Sequence, residues 1–136
     1  MLFPFCSEHL QQKKWPYYDQ LIKLIKQNHP NLKIVIAPGP DEIEKAQKLD
    51  AVSILKDDKA ISISELAGLI KKSKFVVAND TGPAHMAAHL NVKGLSLFGS
   101  HTTAHKVSIE RKDFKAIQVS DLKNLSAEKV FERLVL

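Results

Sequence analysis

Between Val76 and Gly99 the sequence reads VVANDTGPAHMAAHLNVKGLSLFG, with Asn79, Asp80, Thr81 and His85 set between two apolar runs. A short apolar run, then Asn-Asp-Thr-Gly-Pro, then a run of small residues predicts a strand, a tight turn and a helix entered at Pro83. The start of a helix presents unpaired backbone N–H groups and the positive end of the helix dipole, which together attract anions. Gly82 lacks a side chain, so a phosphate could approach its backbone closely. Thr81 adds a hydroxyl, and His85 falls within the first helical turn. Read singly, Asp80 or Thr81 is a helix N-cap and nothing more. Read together, at the end of a strand, these residues point to an anion site.

Three other segments carry residues of the same kind. Lys13-Lys14-Trp15-Pro16 lies between a loop and a helix start; a lysine there either reaches a phosphate or is simply solvated, while Trp15 reads as a packing anchor. Glu42, just after Pro38-Gly39-Pro40, either accepts from ribose hydroxyls, as acidic residues do in dinucleotide folds, or faces the helix dipole. Phe98-Gly99-Ser100 ends a strand at either a close backbone approach or a turn. His85 and His89 stand at zinc-ligand spacing, but Met86 occupies the position where a metalloprotease helix carries its glutamate. His101 and His105 make an equally poor metal pair.

The elements that must hold these loops alternate. Strands are expected at Leu2–Cys6, Lys33–Ala37, Val52–Leu55, Phe75–Ala78, Lys93–Phe98 and Phe114–Val119. Helices are expected to begin at Pro16, at an Asp41 cap with Glu44 completing a capping box, and at Ser62 with Glu65 completing another. Further helices span Pro83–Leu90 and Ser126–Leu134. Alternation of nearly continuous apolar strands with helices predicts a parallel sheet covered on both faces, an α/β three-layer fold. Ligands of such sheets bind at the carboxyl ends of the strands. Those ends are the loops Ser7–Lys14, Pro38–Glu42, Ala78–His85 and Gly99–His105.

The 136 residues suit one domain, and 44% hydrophobic with 26% charged residues is ordinary for a globular chain. No apolar run approaches the roughly 20 residues of a membrane span. Cys6 is the single cysteine, so no internal disulfide forms and a cytoplasmic location is expected. The net charge of +5 favours an anionic partner. Its lysines are scattered without blocks or aromatic interleaving, which argues against nucleic acid.

In their order these residues resemble the carboxyl-terminal half of glycosyltransferase family 9, the lipopolysaccharide heptosyltransferases. The resemblance runs from KKWP through GPDEIEKA and ISISELAGLIKKSKFVVANDTGPAHMAAHL to LSLFGS, with NDTGPAH and KxWP its most specific parts. It implies one Rossmann-like half of a GT-B enzyme, spanning 1–136 and binding a nucleotide-sugar donor, typically ADP-heptose. By motif, Lys13 would contact the donor phosphates or sugar and Glu42 the ribose. Ile61 would border the adenine, and Asp80, Thr81, Gly82 and His85 would surround the diphosphate and heptose.

The resemblance further implies that the amino-terminal half, with its catalytic base and lipid A–Kdo acceptor site, is absent from these residues. No cofactor or metal is expected, in keeping with the lack of an Asp-x-Asp pair. An enzyme of this kind would work in the cytoplasm, at the inner face of a Gram-negative inner membrane, and an exposed cleft face would leave self-association open. The continuation FGSHTTAHK departs from the family's usual Phe-Gly-Pro-Thr, which puts sugar specificity in question. Two alternatives remain: a stand-alone nucleotide-binding module without catalysis, and an unrelated doubly wound domain whose loops are only caps.

Overall fold

The computed structural model describes Met1–Leu136 and shows six parallel strands in the order β3-β2-β1-β4-β5-β6. These are β1 (Leu2–Phe3), β2 (Val35–Ile36), β3 (Val52–Ser53), β4 (Val76–Asn79), β5 (Gly94–Phe98) and β6 (Phe114–Gln118). The helices are α1 (Tyr18–Asn28), α2 (Ile43–Gln47), α3 (Ile63–Lys72), α4 (Gly82–His89) and α5 (Ala127–Phe131). This is the doubly wound, Rossmann-like arrangement, with the reversal of strand order falling between β1 and β4. No helix is long and apolar enough to cross a membrane.

The two faces of the sheet follow from the period-two alternation of strand side chains. Leu2, Ile36, Val77, Leu95 and Leu97 point into a core shared with Leu21, Ile22 and Ile25 of α1 and Ala127 and Val130 of α5. Phe3, Val76, Ala78, Phe98 and Phe114 point the other way, onto Ile70 of α3 and Ala84, Ala87 and Ala88 of α4. The three alanines of α4 are fully buried and bring the helix close to β4. Gly94 is required by packing: a Cβ there would lie 2.6 Å from the Val76 carbonyl oxygen and 2.7 Å from the Phe114 ring.

Several boundaries differ from expectation for local reasons. β1 and β2 shrink to two residues each. Pro4 and Pro38, which have no N–H to donate, stand just beyond their carboxyl ends. The expected Asp41 cap and Glu44 box do not form. Pro40 instead starts a 3-10 turn over Pro40–Glu42, and the Gly39 N–H donates to Glu42 Oε2 at 2.8 Å. The Ser62–Glu65 box at α3 forms as expected, with Glu65 N–H to Ser62 Oγ at 3.2 Å and Ser62 N–H to Glu65 Oε2 at 2.9 Å. Loop Ser7–Lys14 contains an irregular 3-10 segment, Glu8–Lys13, bent at Leu10.

Candidate functional site at the strand crossover

The site is built outward from the end of β4. Asn79 is fully buried, and its Oδ1 accepts from the Trp15 backbone N–H at 3.2 Å and from the Tyr18 hydroxyl at 3.3 Å. Trp15 is 1% exposed, and its indole N–H donates to the Leu125 carbonyl at 2.7 Å. The Lys-x-Trp-Pro segment is thereby fastened to β4 from one side and to the start of the last helix from the other. That fixes where Lys13 can reach.

Lys13 reaches Asp80. Its Nζ lies 3.2 Å from Asp80 Oδ2, while Asp80 Oδ1 faces His85 Nε2 at 3.1 Å. A third partner, His101 Nε2, sits 3.0 Å from Oδ2. Burial alone raises the Asp80 pKa. The hydrogen bonds from His101, Lys13 and His85 more than reverse this, leaving the carboxyl below its ordinary value and ionised at neutral pH. One nearly inaccessible carboxylate thus gathers three cationic or donor side chains at the switch point of the sheet.

Thr81 is the N-cap of α4, but its side chain makes no capping bond; its hydroxyl donates to the Asn79 carbonyl at 3.3 Å. The Ala84 and His85 N–H groups both bond the Thr81 carbonyl, at 3.0 and 3.3 Å, and Pro83 has no N–H. The helix start therefore offers fewer amides than a bare terminus would, with Gly82 foremost. A Cβ built on Gly82 would meet nothing within 4 Å, so the space beside its Cα is open.

Glu42, Ile61 and Thr81 line a cleft of about 430 Å³ at the carboxyl ends of β1, β2 and β4. That lies within the usual range of about 300–1,000 Å³ for small-molecule sites. Phe3, Phe5, Pro38, Pro40, Ile63 and Leu66 give it apolar walls, and Ile63 at 77% exposure forms an outer lip. A more apolar cleft of about 230 Å³ lies at the opposite, amino-terminal edge of the strands, away from every residue of the predicted site.

The structure divides the predicted residues into two neighbouring groups. Lys13 and His85 both touch Asp80; Glu42, Ile61 and Thr81 share the cleft; and Gly82 is the first residue of α4. Sequence reasoning missed His101 and Asn79. His101 carried only a metal-pair reading, and Asn79 carried none beyond its place in the turn. The signal available for His101 was its position two residues beyond the glycine that ends a central strand.

A doubly wound parallel sheet with a charged cluster and an adjoining cleft at its switch point is a Rossmann-like α/β domain of the kind found in GT-B enzymes. The sequence profile of glycosyltransferase family 9 (heptosyltransferase) matches residues 1–134, and the chain belongs to that family. Lipopolysaccharide heptosyltransferase 1 of Campylobacter coli is 28% identical over 114 residues, covering 77% of this chain and 33% of that protein. E. coli heptosyltransferase WaaC with ADP superposes with a TM-score of 0.81 at 24% identity, over 96% of this chain and 41% of WaaC. E. coli ADP-heptose lps heptosyltransferase II gives 0.74 at 18% identity, over 96% of this chain and 43% of the enzyme. The chain thus spans well under half the length of the relatives it matches.

Proposed function

We propose that this domain is the donor-binding part of a family 9 glycosyltransferase and takes ADP-heptose for transfer to the lipopolysaccharide inner core. The observation that carries the reading is the convergence of Lys13, Asp80, His85 and the uncrowded Gly82 beside the cleft of Glu42, Ile61 and Thr81. WaaC has been solved with ADP and with ADP-2-deoxy-2-fluoro heptose, and the likeness to both supports a nucleotide-sugar ligand here.

In this reading the adenine lies against Ile61 with Ile63 as its lip. The ribose is held by Glu42, one of whose oxygens is engaged by Gly39 while the other is available to accept. The diphosphate meets Lys13, the Thr81 hydroxyl and the Gly82 N–H, with His85 toward the sugar. When an acceptor hydroxyl attacks the anomeric carbon, negative charge grows on the departing diphosphate. Donors fixed in advance at that position lower the barrier. Lys13 and the helix end supply the opposing positive charge without a metal ion, and the base and acceptor site belong to the remainder of the enzyme.

Calorimetric titration with ADP, GDP and UDP tests the reading. ADP should bind best and raise the melting temperature through linkage. Flat heats and an unmoved melting temperature at millimolar ADP would remove the donor-binding assignment. Transfer tested after adding a separately expressed amino-terminal half separates an enzyme half from a binding module.

A further inference from the structure

Asp80 has two oxygens and three partners, and the sharing is uneven. Lys13 and His101 both bond Oδ2, at 3.2 and 3.0 Å, while His85 alone bonds Oδ1 at 3.1 Å. The partners also differ in freedom. The Lys13 and His85 side chains are 23% and 35% exposed, whereas His101 is 5% exposed and stacked on Phe98 with ring centroids 5.9 Å apart and planes 12° apart. Lys13 can swing outward; His101 cannot follow.

The other ring nitrogen fixes how His101 bonds. Its Nδ1 is buried with no partner. Asp80 accepts only, so Nε2 must carry the proton, and a neutral ring leaves Nδ1 as a bare lone pair rather than a stranded N–H. His101 is then a permanent donor to Oδ2 that makes no other hydrogen bond.

We propose that His101 is a positioning residue: it keeps the Asp80 carboxylate satisfied while Lys13 leaves Oδ2 for the diphosphate of the donor. The inference rests on the donor-binding reading above. A buried carboxylate oxygen that loses its donor with nothing in its place pays a desolvation penalty that is largest for charged groups. With His101 in place the carboxylate retains one bond to each oxygen after Lys13 has moved. Without it, Asp80 would hold Lys13 back from the ligand. The role was hidden in the sequence because Asp80 and His101 lie 21 residues apart and meet only because β4 and β5 are adjacent.

A double-mutant cycle on ADP affinity decides the matter, using wild type, His101→Phe, Lys13→Met and the pair, with His101→Gln as the conservative variant. His101→Phe should weaken ADP about tenfold, on the scale of one hydrogen bond to a charged group. His101→Gln, whose amide nitrogen can replace Nε2, should retain most of the affinity. In the Lys13→Met background, His101→Phe should cost nothing further, because there is no lysine left to release. Unchanged affinity in His101→Phe, equal loss in Gln and Phe variants of matching melting temperature, or additive losses in the double variant would each overturn the proposal. Wild type that fails to bind ADP would overturn the donor-binding reading, and this role with it.

Discussion

Replacing Gly82 with alanine separates the stability of the fold from the occupancy of the site. Gly82 is the first residue of α4, its φ is not positive, and a Cβ there touches nothing within 4 Å. Folding therefore gains from the substitution. Gly→Ala at a compatible position stabilises by about 0.4–1 kcal/mol, chiefly by narrowing the unfolded ensemble. At about 2.1 cal/mol/K per residue, 136 residues give an unfolding entropy of roughly 290 cal/mol/K, so the melting temperature should rise by about 1–4 °C. The ligand responds oppositely. The new methyl occupies the space through which a phosphate oxygen would approach the amide, and losing one charge-assisted hydrogen bond costs about 1.5–3 kcal/mol, or roughly 10- to 150-fold in ADP affinity. Differential scanning calorimetry and isothermal titration on one preparation give both numbers. A lowered melting temperature would show that the space over Gly82 is needed by the fold. Undiminished ADP affinity would show that no phosphate approaches that amide.

Other substitutions probe the remaining parts. Lys13→Ala and Thr81→Val should each weaken ADP binding by about 1–3 kcal/mol; calorimetry giving wild-type affinity for both would remove them from the site. Asn79→Ala strands the Trp15 N–H and the Tyr18 hydroxyl and should destabilise by about 2–4 kcal/mol in urea unfolding, a loss under 1 kcal/mol counting against the anchoring role. Ser62→Ala removes the α3 cap and should cost about 1 kcal/mol while leaving ADP affinity intact. Acid should destabilise the fold in a defined way. The Asp80 pKa is lowered in the folded state, and that of Glu65 is lowered to about 2 by hydrogen bonds from Lys56 and Ser62. Their contributions are fully present above the unfolded carboxylate values and are lost as pH falls through the folded ones. Urea midpoints should decline below about pH 4, and Asp80→Asn should flatten that decline; an identical acid profile in the variant would refute the assignment.

What could be read from the sequence was what local chemistry decides. The Ser62–Glu65 box needs only residues three apart, and Tyr18, Leu21, Ile22, Leu24 and Ile25 recur at helical spacing, all but the half-buried Leu24 being buried in α1. Alternating apolar runs disclosed the parallel sheet, and the turn after β4 disclosed Asp80 and His85, which the structure brings into contact. Strand order was not legible, because each crossover could have passed to either side. For the same reason the Trp15–Asn79 and Asp80–His101 bonds were hidden, since they join segments that only the finished sheet makes neighbours. The Asp41 cap was misplaced because two prolines compete to start the same turn, and the box formed two residues earlier, at Gly39 and Glu42.

Strand β1 lies at the centre of the sheet although it comes first in the order of elements. Leu2 pairs with Ile36 on one side and with Val77 on the other. Both partners must be brought across long stretches of chain, so the entropy of loop closure is spent before the middle of the sheet rewards it. Of the strand pairings, the one between β1 and β4 therefore spans the greatest sequence separation. During synthesis, Leu2 and Phe3 stay apolar and unpaired on that side until β4 has emerged, and that interval is when this fold is most exposed to misassociation.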